Sequence, residues 1–210
     1  MINENERCGW AKKELDIEYH DTQWGKPCYD DDELFEMLIL EGFQAGLSWT
    51  TILNKRENFR KAFDKFNYKK IAKYNEKKFD ELMLNEGIIR NKLKIHSSAI
   101  NANKFMEVQS EFGSFSKYLW GFVDNKPIIN KWKTLQEVPA STELSDKISK
   151  DMKKRGFKFV SYNSFVKHQF FKFFLVIFSY FFIIKFIKRF SEIFSFIKYR
   201  CPTKTRLESF

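Results

Sequence analysis

Apolar residues recur at helical spacing through the first three quarters of the chain, and capping residues punctuate them. After the acidic pair Asp31-Asp32, Leu34, Phe35, Leu38 and Ile39 share one helical face, and this helix is expected to end near Glu41-Gly42. Ser48 precedes a second run carrying Trp49, Ile52, Leu53, Phe59 and Phe63. Asn75 opens a third with Phe79, Leu82 and Met83, for which Gly87 is the expected C-terminal glycine. After the link Ile88-Ile89-Arg90, Asn91 caps a long helix to Phe112, stopped by Gly113. Ser114 opens Phe115 to Val123, and Thr142 opens a helix through Arg155, closed by Gly156. No segment shows sustained period-2 alternation. The pattern predicts an all-α protein with short connections.

The segment Leu82 to Ile95, LMLNEGIIRNKLKI, reads as helix, Gly-containing turn, helix, with basic residues around the second start. Backbone N–H groups at a helix N-terminus suit a phosphate. A plain αα-hairpin gives the same pattern, so the segment alone leaves both readings open.

Composition divides the chain at about residue 161. Of 25 phenylalanines, 13 lie in the last 50 of the 210 residues, a stretch without Gly, Ala or Asp. The expected organisation is therefore a helical domain over 1–160 and an aberrant Phe/Lys/Ile-rich tail over 161–210. A membrane segment, an aromatic core helix and the product of a shifted reading frame compete for that tail. The apolar run Phe173 to Ile184 has 12 residues between Lys172 and Lys185, short of the roughly 20 a spanning helix needs. The composition of an A/T-rich gene read out of frame fits best.

Charge follows the same division. The net charge is +10, but residues 1–160 carry 28 basic against 25 acidic side chains, and the tail 9 against 2. The body is only mildly basic, so charge alone does not identify a nucleic-acid binder. Three cysteines exclude a disulfide scaffold and favour a reducing, cytoplasmic setting. The start MINENERCGW lacks the basic-then-apolar pattern of a signal peptide.

Five segments in order carry a resemblance: ERCGW (Glu6 to Trp10), EYHDTQWG (Glu18 to Gly25), LFEMLILEGFQAGLSW (Leu34 to Trp49), GIIRNKLKI (Gly87 to Ile95) and KKRGFKFV (Lys153 to Val160). Together they resemble 3-methyladenine DNA glycosylase I, the Tag family, over about residues 6–160. The resemblance implies a helix-hairpin-helix glycosylase fold and a structural zinc. It also implies hydrolytic release of 3-methyladenine from double-stranded alkylated DNA by a monofunctional enzyme, with no obligate protein partner.

The resemblance also assigns residues. Glu41 matches the base-recognising glutamate, and Tyr19 and Trp49 match aromatic positions of the base pocket, with Trp24 beside them. Leu47, between Gly46 and Ser48, matches the loop pushed into the gap left by a flipped base. Gly87, Arg90, Lys92 and Lys94 match the phosphate-seating hairpin. Asp21 reads more simply as a hydrogen-bond orienter or cap than as a catalytic aspartate. Cys8 and His20 match two ligands of a Cys-His-His-Cys zinc site, whose other pair normally follows the KRGFKFVG segment as His-x3-Cys. Here Val160 is followed by Ser161, and His168 and Cys201 stand 33 apart, so two of four zinc ligands are evident. Cys28 and His96 are expected to be structural or exposed. The alternative is an inactive remnant, or a membrane-associated protein, that lacks a complete zinc site.

Overall fold

The computed structural model describes residues 7–126, 139 and 141–160. The expected Phe-rich tail, with His168 and Cys201, lies outside them. The described residues are helical and contain no strand. They fall into two compact units, one holding residues 7–27 and 139 and the other 28–126 with 141–160.

In the first unit, helix α1 spans Glu14–Thr22. It buries Asp16, Tyr19 and His20, an i, i+3, i+4 face made of polar and aromatic residues. That composition hides the helix from a search for apolar periodicity.

The second unit holds α2 (Asp31–Gln44), α3 (Trp49–Ala62), the short α4 (Tyr68–Ile71), α5 (Glu76–Leu84), α6 (Lys92–Phe112), α7 (Phe115–Gly121) and α8 (Glu143–Lys154). The expected caps are in place: Ser48, Asn75, Asn91, Ser114 and Thr142 each accept from a backbone N–H in the first turn of their helix. Gly113 ends α6 in the left-handed conformation, at φ 84°.

Three details differ from the sequence pattern. Helix α2 continues past Glu41-Gly42 to Gln44, because Gly42 and Phe43 are both buried and keep the helix packed. Its N-cap is Asp30, and this frees Asp31 to reach across the fold. Asp31 accepts from the Phe115 and Ser116 amides at 2.9 and 2.8 Å and from Gln109 Nε2 at 2.6 Å, so it fixes the start of α7. Gly87 is not a left-handed cap; α5 ends on an extended Asn85, two residues earlier. A Cβ there would meet Asn58 side-chain atoms at 3.2 Å, so glycine permits close approach to α3.

Helix α6 is the central element and packs against α2, α4, α5 and α7. The core is rich in phenylalanine: Phe43 meets Phe59 at 4.8 Å, Phe35 meets Phe105 at 5.1 Å, and Phe105 stacks on Phe115 at 4.3 Å. Such ring pairs add to the burial of large apolar surfaces.

Candidate DNA-binding and base-recognition site

In the first unit, Tyr19 and Trp24 come together with Trp10, which the sequence reading did not assign to the site. Ring centroids are 6.3 Å apart for Tyr19–Trp24, 6.3 Å for Trp10–Tyr19 and 5.2 Å for Trp10–Trp24. Tyr19 and Trp24 are buried and Trp10 is half-exposed. The presence of Trp10 in ERCGW, among an aromatic-rich N-terminal stretch, was the available signal.

His20 adjoins this cluster, with its ring 5.5 Å from that of Trp10. Asp21 engages His20 Nδ1 at 2.9 Å and accepts from Arg7 Nη2 at 2.8 Å, which agrees with an orienting role. Burial alone would raise the Asp21 carboxyl, but hydrogen bonds from Arg7 and His20 and the Arg7 charge outweigh it and hold the group below its ordinary value. With a proton on Nδ1, His20 Nε2 accepts from the Cys8 amide at 3.4 Å. A carboxylate behind an imidazole is the usual support of a metal-bound histidine. Among the described residues, however, no group of three or more His, Cys, Asp or Glu could hold a metal ion. The described donors therefore do not complete a four-ligand zinc site.

In the helical body, Glu41 lies one turn before the end of α2. It is fully buried, and both its carboxylate oxygens are shielded from solvent. Trp49, the first residue of α3, is buried together with its indole nitrogen. Between these helices, Ala45 leaves helical geometry and Gly46 turns at φ 85°, a left-handed conformation natural to glycine. The turn presents Leu47 with 40% of its surface exposed. It is closed on α2 by Leu47 N donating to Gln44 O at 2.6 Å and Gln44 Nε2 donating to Leu47 O at 3.3 Å. An exposed leucine on a tight, braced turn suits insertion between bases.

The hairpin joins α5 to α6 through residues 85–91. Lys55 Nζ donates to Glu86 O at 3.0 Å and Asn58 Nδ2 to Gly87 O at 3.3 Å, pinning the hairpin on α3. Arg90 and Lys92 are exposed, with Lys92 at the first position of α6.

Two hairpin residues depart from the expected phosphate role. The Gly87 amide donates to Asn85 Oδ1 at 2.8 Å, so it is engaged within the turn. Lys94 points inward: it is 8% exposed, and its ammonium donates to Phe43 O at 3.0 Å and Ala45 O at 2.7 Å. Burial pushes its pKa below the usual lysine value. Arg90 and Lys92 shortly before it are basic and exposed, which is why it read as part of a cationic edge. Cys28 is partly exposed, with Sγ 3.4 Å from Glu33 Oε2, and His96 is half-buried with its ring 4.2 Å from Phe79, so both are structural or surface residues as expected.

A helical body with a pinned hairpin, a buried carboxylate and an exposed apolar turn fits the class of helix-hairpin-helix DNA glycosylases. Comparison with known proteins agrees and narrows the class. Residues 10–170 match the methyladenine glycosylase family, ten residues past the compositional break. The chain is 45% identical over 155 residues to DNA-3-methyladenine glycosylase of Haemophilus influenzae, covering 73% of this chain and 84% of that protein. It is 46% identical over 156 residues to DNA-3-methyladenine glycosylase 1 of Escherichia coli K12, covering 74% and 83%. A crystal structure of 3-methyladenine DNA glycosylase I superposes with a TM-score of 0.74 at 43% identity, over 79% of this chain and 93% of that one. A tyrosine-to-phenylalanine variant of such an enzyme, in complex with 3-methyladenine, superposes with a TM-score of 0.74 at 34% identity, over 80% and 91%. The chain belongs to the methyladenine glycosylase family. No helix among the described residues is long and apolar enough to cross a membrane.

Proposed function

We propose that this protein removes 3-methyladenine from double-stranded alkylated DNA by hydrolysing its N-glycosidic bond. The observation that carries the reading is the wholly buried Glu41 carboxylate in an apolar helix, within a chain about 45% identical to enzymes named for this activity. N3-methylated adenine carries positive charge and donates hydrogen bonds, so a carboxylate is suited to recognise it.

The chemistry asks little acid catalysis of the protein. The cationic base is already an activated leaving group, so the C–N bond breaks with its electron pair returning to the purine, and water adds to the sugar carbon. The protein must extrude the nucleotide and hold the base. Glu41 accepts hydrogen bonds from the base and complements its charge. Tyr19, Trp24 and Trp49 each supply an aromatic face for stacking or cation–π attraction, worth ~0.5–2 kcal/mol. Leu47 resists restacking, and Arg90 and Lys92 seat the hairpin on phosphates. Cys8 and His20 are ligands of a structural zinc on the resemblance alone, and elemental analysis of the intact chain tests whether zinc is bound. The few cysteines fit a reducing cytoplasm.

Incubation of the full chain with methylated duplex DNA and chromatography of the released bases tests the reading. Release of 3-methyladenine supports it, and no release above a protein-free control overturns it.

A further inference from the structure

We propose that Lys94 is a positioning residue that couples the DNA-seating hairpin to the turn carrying Leu47. The proposal rests on the glycosylase reading but is tested apart from base removal. Lys94 stands third in α6, where the positive end of the helix disfavours a cation. Its side chain crosses instead to the C-terminal end of α2, where carbonyls lack intrahelical donors and the dipole is negative. Two of its three N–H groups meet Phe43 O and Ala45 O, and the ammonium lies 5.9 Å from the Phe159 ring centroid.

Ala45 is the residue at which the chain leaves α2, and Leu47 stands two residues further on. The Lys94–Ala45 bond therefore anchors one side of the Leu47 turn, while the Gln44–Leu47 bonds brace the other. The first turn of α6 thus holds Lys92 outward to solvent and Lys94 inward to the wedge turn. Hairpin docking on phosphates and insertion of Leu47 are fixed to one short rigid segment.

The test uses the full chain, and Lys94→Met, which keeps length and loses charge. We compare affinity for duplex DNA containing an abasic site with affinity for undamaged duplex, each across a salt series. The preference for abasic DNA is expected to fall about tenfold, as when a charge-assisted hydrogen bond is removed, while the salt slope stays unchanged. Lys94→Met combined with Leu47→Ala should lose no more preference than Leu47→Ala alone, because both act through one turn. Lys94→Arg should retain most of the preference. If Lys94→Met does not fold, Lys94→Gln, which keeps N–H donors on a shorter, neutral side chain, should show a partial loss. An unchanged preference, additive losses with Leu47→Ala, or a salt slope lowered by about one unit would each overturn the proposal. Abasic binding needs no chemistry, so a chain that releases no base yet shows the coupled loss refutes the glycosylase reading alone.

Discussion

The backbone and Cβ of Phe159 lie against Gly42, the residue after Glu41: a Cβ built on Gly42 would sit 3.5 Å from Phe159 Cβ. The chain just before the compositional break therefore packs onto the helix that carries the buried carboxylate. Ala fits this space at ordinary contact distance, and a branched side chain does not. Gly42→Ala is expected to melt within a few degrees of wild type, its better helix propensity offsetting local adjustment. Gly42→Leu should destabilise by ~1–3 kcal/mol through overpacking, read from denaturant melts.

The same closing segment is held by Asn101. Its Nδ2 donates to Lys158 O at 3.0 Å and its Oδ1 accepts from Lys158 N at 2.7 Å. Asn101→Ala should cost ~1–3 kcal/mol, because two inward-facing backbone groups lose their partner. A loss below the error of a urea titration would show that water replaces the amide at no cost.

Most of the helical body was legible in the sequence, because apolar spacing and side-chain caps specify it locally. Ser48, Asn75, Asn91, Ser114 and Thr142 all mark true starts. What could not be read were relations between elements. Asp31 reads as part of the acidic start of its own helix, and its carboxylate also accepts from the first two amides of α7. Lys94 looked like part of an exposed basic edge, and only the closeness of α2 turns it inward. Helix α1 escaped because its buried face is polar and aromatic. Glu41 and Leu47 were found through motif resemblance, and the structure adds what composition could not: one is buried, the other exposed.

Arg155 ties α8 to α6 through two carboxylates, and this predicts a pH-dependent stability. It donates to Glu111 at 2.6 Å and to Asp151 at 2.8 Å, and its guanidinium lies about 5 Å from the Phe112 and Tyr118 ring centroids. Its hydrogen bond holds Glu111 below the ordinary carboxylate value. For Asp151, burial raises the pKa, but hydrogen bonds from Tyr118 and Arg155 outweigh it and lower the group. Folded pKa values below the unfolded ones give stability that is present above the unfolded pKa, about 4, and lost as pH falls through the folded values. Melting temperature should therefore fall between about pH 5 and about pH 3. Arg155→Leu should start lower and fall less steeply. Parallel curves would remove Arg155 from the acid response.

Lys92 is exposed at the start of α6, so its substitution tests the proposed phosphate seating apart from base recognition. Lys92→Ala should weaken binding to all duplex sequences alike and reduce the salt slope by about one unit. A loss confined to particular sequences would contradict that role.

The most direct test of the account is single-turnover excision of 3-methyladenine by wild type and Glu41→Gln, with affinity for abasic duplex measured in parallel. Removing one charge-assisted hydrogen bond to the base predicts a loss of ~1.5–3 kcal/mol, roughly ten- to 150-fold in rate, with abasic binding nearly unchanged. Excision at the wild-type rate by Glu41→Gln would contradict the claim that this buried carboxylate reads the base.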